Sequence, residues 1–321
     1  MGLSLRLLRR FGVFVASLLG ASLLIFLVTK ALPGDVAQVL LGTDATPEAV
    51  AALRSQLGLD QPLAVQYFSW LGGLLTGDFG HSHLSGDPVL SLLAPRIAVT
   101  LWLVGIGLIG SILLAIPAGM IAALKRRSWA GTLVSVGAQI GIAIPVFWGG
   151  ILAVVVFAVW LRWLPANGYV PLLTNPGQWA LHLILPGLTL AGVQAAVLTR
   201  YVRSAFLEVL NEDYYRTARS VGWTPMRALL RHGLRNAAIS LVTVVGLQLS
   251  SVLVGAIVVE TVFSLPGLGS LLLDAVAQRD LFVVQGTVMF LVLAVLTISA
   301  LVDFSYLLID PRQRTSHGGA R

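Results

Sequence analysis

Five residues of this sequence have types and spacing that could perform chemistry. His81 and His83 form a His-x-His pair, and two imidazole rings at this spacing could bind a metal ion. His182 could act as the base for a serine nucleophile, for which Ser250 and Ser251 are the candidates. The histidine pair lacks a third ligand nearby, and no nucleophile-elbow motif accompanies the serines. We therefore expect no metal site and no catalytic residue, and we keep an intramembrane hydrolase as the alternative class of function.

Two acidic residues, Glu260 and Asp303, interrupt runs that are otherwise apolar. An ionisable side chain at membrane depth usually marks a substrate path. We therefore predict a pathway or gating role for Glu260 and Asp303, together with the neighbouring Pro266, Gly267 and Gly269. Two alternatives remain open, because Glu260 could instead reach the outer membrane interface and Asp303 could pair with an arginine.

Residues 204–238, which we call the arginine-rich segment, are polar and lie between two apolar runs. Residues 212–221 predict a short helix that Gly222 ends, and Pro225 predicts the start of a second helix. Basic residues then recur every four positions, at Arg227, Arg231 and Arg235. Such a helix could bind anionic lipid or dock a partner protein, and the helix–glycine–helix pattern favours the protein.

The glycine pattern GxGxxG occurs at Gly105, Gly107 and Gly110. A dinucleotide site would require a preceding strand and a following acidic residue, and both are missing. The glycines are instead typical of close packing between membrane helices. No GxxxxGK[ST] motif is present, so ATP in such a loop would have to bind to another chain.

The elements that hold these residues are predicted to be membrane helices. Of 321 residues, 57% are hydrophobic and 11% are charged, against about 25% charged in a soluble domain. The composition therefore predicts an all-α integral membrane protein with room for six spans. The net charge of +7 comes largely from arginines between apolar runs, which indicates orientation and not nucleic-acid binding. Disulfides are excluded because the chain has no cysteine.

Six apolar runs predict the transmembrane helices, at about residues 11–29, 97–124, 131–161 (with a bend at Pro145), 181–203, 239–262 and 282–308. The first is too long for a signal peptide and lacks a cleavage site. Most basic residues fall on one side, so we expect both termini in the cytoplasm. This divides the chain into a cytoplasmic N-terminus with the first helix (1–31), an external loop region (32–96) and a core of five helices (97–321).

The external region has helix signals of its own. Thr46 and Pro47 predict a helix start, and Gly58 predicts its end. Tyr67 and Trp70 are of the types that anchor a chain at a membrane interface.

The arginine-rich segment carries the pattern DYxRTARxxG followed by LLxHxLRN. Its residues are Asp213, Tyr214, Arg216, Thr217, Ala218, Arg219 and Gly222, then Leu229, Leu230, His232, Leu234, Arg235 and Asn236. This pattern resembles the EAA-type loop of inner-membrane permeases of binding-protein-dependent ABC importers, in particular the dipeptide, oligopeptide and nickel group. Ser240 departs from the group, which usually has a proline there.

Further stretches across the chain are similar to the same group. They are LGLDxP with Tyr67 (57–67), GDFGxS (77–82), ETVFSLPGLG (260–269), the pair Arg279–Asp280 and the terminal DPR (310–312). The resemblance implies a type I ABC importer permease in a bacterial inner membrane. It also implies a second homologous permease, two ATP-binding subunits that hold ATP and Mg²⁺, and an external solute-binding protein.

The resemblance further implies which residues couple the chain to the ATP-binding subunits. Apart from their leucines, the residues of the two patterns form this set, to which the charge pattern adds Arg227 and Arg231: Asp213, Tyr214, Arg216, Thr217, Ala218, Arg219, Gly222, His232, Arg235 and Asn236. The implied cargo is a short peptide, with nickel or another metal chelate and glutathione as alternatives within the same family. No cofactor is expected in this chain.

Overall fold

The computed structural model describes residues 3–31, 36–42 and 45–309, and these residues are helical apart from the connections, of which 77–88 and 161–175 are the longer ones. Within the described residues, the one β-type pairing is an isolated antiparallel bridge between His81 and Pro88. The α-helices are α1 (Leu3–Ala31), α2 (Val36–Leu41), α3 (Pro47–Gln56), α4 (Leu63–Thr76), α5 (Val89–Leu124), α6 (Trp129–Ala143), α7 (Val146–Ala153), α8 (Pro176–Val209), α9 (Asp213–Ser220), α10 (Pro225–Ala228), α11 (Leu234–Val262), α12 (Leu268–Ala277) and α13 (Leu281–Ile309).

The described helices confirm an all-α protein that crosses the membrane several times. Five segments are long and apolar enough to span it, and the bent pair α6–α7 makes a sixth if it is counted as one span. The five are Leu8–Ala31, Val89–Leu124, Pro176–Val209, Val244–Val262 and Leu281–Leu301. This agrees with the six predicted spans.

The third predicted span is broken at Pro145. Ile144 has φ −82° and ψ 119°, outside the helical region, because the proline ring disfavours helical geometry in the preceding residue. The two halves meet at 104°, and the second half continues from α7 into a π-helical stretch, Val154–Trp160. The predicted bend is therefore confirmed, and at 104° it divides the span into two helices.

The second and fourth predicted spans begin earlier than their apolar runs suggested. The second begins at Val89 and not at residue 97, since Val89 and Leu93 are fully buried and the helix passes through Pro95. The fourth begins at Pro176, where the Asn175 side chain caps the helix by accepting the Gln178 N–H at 3.1 Å. Tertiary packing and a cap thus set boundaries that the apolar runs do not show.

The chain divides into two compact units, Met1–Ala98 with Ser270–Thr297 and Val99–Gly269 with Ile298–Arg321. In the first unit, the predicted helix after Thr46 is confirmed as α3. The Thr46 hydroxyl accepts the Ala49 N–H at 3.3 Å, and Gly58 ends the turn after the helix with φ +64°.

Helix α4 in the first unit was not predicted as a helix, and its aromatic residues pack on α1. Tyr67 lies edge-on to Phe26 with ring centroids 5.5 Å apart, and its hydroxyl is 2.9 Å from that of Ser22. Trp70 also stacks near Phe26, at 6.1 Å. These contacts hold the predicted interface aromatics against the first span.

The second unit packs its helices closely through small residues. A Cβ on Gly107 would lie 2.6 Å from the Leu190 side chain, and one on Gly110 would lie 2.9 Å from Ala191. Nothing lies within 4 Å of a Cβ on Gly105. Two glycines of the GxGxxG pattern therefore serve helix packing, as predicted.

Candidate functional site

The arginine-rich segment begins with α9, a helix that is anchored on one face and exposed on the other. Tyr215 and Ala218 are buried in a core that also contains Phe206 and Leu229. Their spacing of three residues places both on the same side of the helix. Other α9 side chains lie outside that core and are exposed: Asp213, Tyr214, Arg216, Thr217, Arg219 and Ser220. The helix is therefore fixed to the membrane domain while it presents a polar surface.

The predicted elbow at Gly222 is confirmed and has a defined hydrogen-bond pattern. Gly222 has φ +94°, the left-handed region that glycine adopts without a steric cost. Its N–H donates to the Arg219 carbonyl at 3.1 Å, and the Trp223 N–H donates to the Ala218 carbonyl at 3.2 Å. This is a Schellman motif. The Thr224 side chain then caps the next helix by accepting the Arg227 N–H at 3.3 Å.

Trp223 organises the arginines around this elbow, and the sequence patterns did not identify it. The Arg227 and Arg231 guanidinium groups lie 4.8 Å and 5.5 Å from the centroid of its ring. The Arg219 guanidinium donates a hydrogen bond to its backbone carbonyl. A tryptophan directly after the elbow glycine, within a basic segment, is the signal that could have indicated such stacking.

The helix that begins after the elbow continues into the fifth span, and the prediction of two separate helices was wrong. A separate basic helix followed by a span from residue 239 was expected. Instead α10 passes through a π-helical turn, Leu229–Gly233, directly into α11. No proline lies between residues 226 and 265, so nothing interrupts the helical path. A displacement of the elbow can therefore be transmitted along one continuous element.

The side chains of His232, Arg235 and Asn236 in this segment, and that of Ser240 just after it, lie outside the described set. The side chain of Asp303 lies outside it as well, and so do residues 310–312.

Glu260 is fully buried and holds a turn between α11 and α12. Its Oε1 accepts the Thr100 hydroxyl at 2.5 Å, and its Oε2 accepts the Gly269 N–H at 2.7 Å. The Thr100 oxygen in turn accepts the Leu268 N–H at 2.9 Å. A Cβ on Gly267 would lie 2.1 Å from the Glu260 carboxyl carbon. The Glu260 side chain is thus enclosed by protein atoms.

The second glycine of this turn is as tightly packed as the first, and its proline is not. A Cβ on Gly269 would lie 2.6 Å from the Ile257 backbone, whereas Pro266 is exposed. A pathway or gating role for Glu260, Pro266, Gly267 and Gly269 stays a prediction.

The two loop histidines lie in different environments. His81 is exposed, whereas the ring of His83 is half-buried and lies 4.4 Å from the Phe282 ring. Burial lowers the pKa of His83, the positive charge of Lys30 lowers it further, and the carboxylate of Asp280 raises it. Within the described residues, no three His, Cys, Asp or Glu side chains cluster in a way that could hold a metal ion.

The candidate hydrolase residues are not brought together. Ser250 and Ser251 line a cavity of about 530 Å³ whose lining includes Gln194 but not His182. The Nδ1 atom of His182 lies 2.8 Å from the Gln178 carbonyl of its own helix. Among the described residues that line this cavity, none is a histidine, so the structure does not bring His182 to the serines.

Comparisons with known proteins assign the chain to a family. Residues 115–315 match the model described as binding-protein-dependent transport system inner membrane component, and residues 4–104 match the model of its N-terminal part. A protein of Brucella abortus named as a peptide transport system permease is 44% identical over 308 residues, 96% of this chain and 98% of the relative. The glutathione transport system permease GsiC of Salmonella typhimurium is 42% identical over 307 residues, 96% and 98% of the two chains.

A solved structure, described as the crystal structure of an amino acid ABC transporter with histidines, aligns with a TM-score of 0.43. The identity is 15%, with 67% of this chain and 92% of that chain covered. The two family models and the full-length relatives carry the assignment: the chain belongs to the family of inner-membrane components of binding-protein-dependent transport systems.

Proposed function

We propose that this chain is the permease subunit of an ATP-driven importer that moves short peptides into the cytoplasm, with glutathione as a member of the same solute class. Relatives named for peptide and glutathione transport support the solute class. A nickel or other metal chelate is the alternative cargo within the family. Both termini lie in the cytoplasm in this proposal, because the basic residues concentrate on that side.

The proposed partners are those that the family of binding-protein-dependent transport systems implies. ATP and Mg²⁺ bind to two separate subunits, since the sequence has no GxxxxGK[ST] loop. A second homologous permease completes the path, and an external binding protein delivers the solute. ATP-driven movement of the docking elements would switch the path between its two openings, in the manner of alternating access.

The observation that carries the proposal is the construction of the arginine-rich segment. Tyr215 and Ala218 anchor it in the core, while basic and apolar side chains remain exposed at the elbow. Val221 is 72% exposed, and Met226 and Leu230 are 41% and 47% exposed. An exposed surface of arginines and large apolar residues fits a partner protein. A helix on a lipid surface can carry the same residue types, so the lipid dependence of uptake is what separates the two.

Charge reversal at the stacked arginines tests the docking proposal. Arg227→Glu with Arg231→Glu should reduce uptake at least about tenfold while membrane insertion stays normal, because charge-assisted contacts to the partner are replaced by repulsion. Uptake and ATP hydrolysis are measured in reconstituted vesicles. Arg227→Lys with Arg231→Lys is the matched control, which keeps the charge and should retain most of the uptake.

The same assay separates protein docking from lipid binding. Docking predicts an equal loss in vesicles of phosphatidylcholine alone and in vesicles that contain phosphatidylglycerol. A loss that occurs only with phosphatidylglycerol would assign the arginines to lipid, and unchanged uptake in both would refute the docking role.

A further inference from the structure

The first unit contains a cavity of about 370 Å³ that none of the roles described above uses. It is formed by the end of α1, by α3 and α4 with the connection between them, by the loop around Asp78 and His83, and by the beginning of α13. Its volume is in the range of small-ligand pockets. Parts of the LGLDxP and GDFGxS patterns, which the coupling role does not explain, lie in its wall.

Among the residues that line the cavity, Lys30 is the one lysine or arginine. Its Nζ donates to the Gln66 Oε1 at 2.6 Å and lies 5.6 Å from the centre of the Phe26 ring. Gln66 is itself fixed, because its Nε2 donates to the carbonyls of Leu59 at 3.2 Å and Gln61 at 2.7 Å. An ammonium group has three protons to donate. Gln66 therefore fixes the Lys30 ammonium group while it accepts a hydrogen bond from only one of the three N–H groups.

Trp70 provides a second donor in the wall. Its indole Nε1 is buried and has no hydrogen-bond partner among the described residues. Its ring is held near Phe26, so the group is not simply turned to solvent. A buried N–H without an acceptor is uncommon in folded proteins and calls for an explanation. A ligand oxygen that displaces the atoms covering the indole would provide it.

The remaining ionisable groups of the wall favour a zwitterion. His83 adds a half-buried polar ring, whose pKa is lowered chiefly by burial, raised by the Asp280 carboxylate and lowered further by the Lys30 charge. Asp78 is the one carboxylate among the lining residues, and its Oδ1 accepts the Gly80 N–H at 2.8 Å. One ammonium and one carboxylate suit a solute that carries both charges better than they suit a dianion.

We propose that this cavity is a binding site for a short zwitterionic peptide, whose terminal carboxylate is held by the Lys30 ammonium and the Trp70 indole N–H. The peptide class rests on the proposed function. The residues that line the site all belong to the first compact unit, whereas the Glu260 turn and the arginine-rich segment belong to the second.

Equilibrium dialysis of radiolabelled trialanine tests the site directly. The full chain is purified with the subunits it retains and without the external binding protein. Lys30→Met should weaken trialanine binding at least about tenfold, and Trp70→Phe about threefold to tenfold, because each removes a donor to a charged group. Trialanine amide should bind at least about tenfold more weakly than trialanine to the unaltered protein.

Matched controls come from the same residue types outside the cavity. Lys125→Met removes the only other lysine, and Trp163→Phe removes an exposed indole; both should bind trialanine normally. Size-exclusion profiles verify that every variant remains folded. Equal binding of the acid and the amide, normal binding by Lys30→Met, or no binding by the unaltered protein would overturn the inference.

The outcome is separable from that of the proposed function. Peptide uptake by the complete importer without binding in this assay would refute the cavity site alone. Trialanine binding that depends on Lys30, in a complex that imports no peptide, would refute the transport proposal and leave the site in place.

Discussion

The Glu260 turn and the arginine-rich segment lie in the same compact unit, and their polar residues are used in opposite ways. The carboxylate of Glu260 is buried and accepts hydrogen bonds from Thr100 and Gly269. The arginines at the Gly222 elbow are exposed and stack on one tryptophan. The first motif satisfies its polar groups within the chain, and the second presents them to solvent.

The difference shows that a polar motif in an apolar chain can be an internal support or an external contact. Burial decides which role a polar motif has. A buried polar group must be paired within the protein, whereas an exposed one can bind water or a partner protein. The Ser82 hydroxyl, which donates to the buried Asp280 carboxylate, belongs with the first type. Changes to the internal motifs should therefore affect folding, and changes at the elbow should affect coupling.

The largest effect is expected from Glu260→Ala. It leaves the Thr100 hydroxyl and the Gly269 N–H without their acceptor, at a cost of about 1–3 kcal/mol for each buried donor. The apparent unfolding temperature in detergent should fall markedly, and less protein should remain monodisperse. Glu208→Ala removes an exposed carboxylate of the same type and serves as the control. Equal stability of the two variants would contradict the internal role of Glu260.

A smaller effect, on coupling instead of folding, is expected from Gly222→Ala. The added methyl meets no atom within 4 Å, but φ +94° is unfavourable for alanine by about 1–2 kcal/mol. Uptake per ATP hydrolysed should fall severalfold at normal insertion. Gly137→Ala also adds a methyl into open space, without the positive φ, and should couple normally. The two variants behaving alike would show that the elbow geometry is irrelevant.

Trp223→Leu should have a still smaller effect. It removes the ring that holds Arg227 and Arg231, and each such contact is worth about 0.5–1 kcal/mol at an exposed site. We expect a twofold to fivefold loss of uptake at low ionic strength. Trp223→Phe keeps an aromatic face and should recover much of it. A loss from Trp223→Leu that Trp223→Phe does not reduce would argue against ring stacking as the organising contact.

The smallest effect concerns His83 beside the buried Asp280. The pKa of His83 in the folded protein lies below its ordinary value of 6.5, so the unfolded chain binds the proton more readily. Stability should therefore be greatest above pH 6.5 and should decrease as the pH falls below that value. His83→Gln should lose less unfolding temperature between pH 7.5 and pH 5.5 than the unaltered protein.

The control for this pH series is His81→Gln, which removes an exposed imidazole two residues away. A His83→Gln variant that loses as much stability as the unaltered protein on acidification would show that His83 does not contribute.

The sequence predicted most of the elements that hold these motifs because their signals are local. Apolar runs gave the spans, Thr46 and Gly58 the ends of α3, and Gly222 the elbow. Pro145 predicted a bend because a proline acts on its immediate neighbour, but its size depends on packing that the sequence does not display.

The features that the sequence could not predict depend on contacts between residues that lie far apart in the chain. The buried carboxylate of Glu260 accepts a hydrogen bond from Thr100, which lies 160 positions away. Helix α12 is short, so its apolar residues do not stand out from those of the neighbouring spans. The stacking of two arginines on Trp223 depends on how the helix leaves the elbow, which no periodic pattern encodes.

Site-directed cross-linking tests the central claim most directly, because the chain has no cysteine of its own. A single Val221→Cys at the elbow should cross-link to the ATP-hydrolysing subunit in membrane vesicles, with a yield that changes when ATP is added. Ser264→Cys, on an exposed position of the Glu260 turn, should give no such product. Cross-linking from Ser264→Cys to that subunit, or none from Val221→Cys in an assembled complex, would contradict the account.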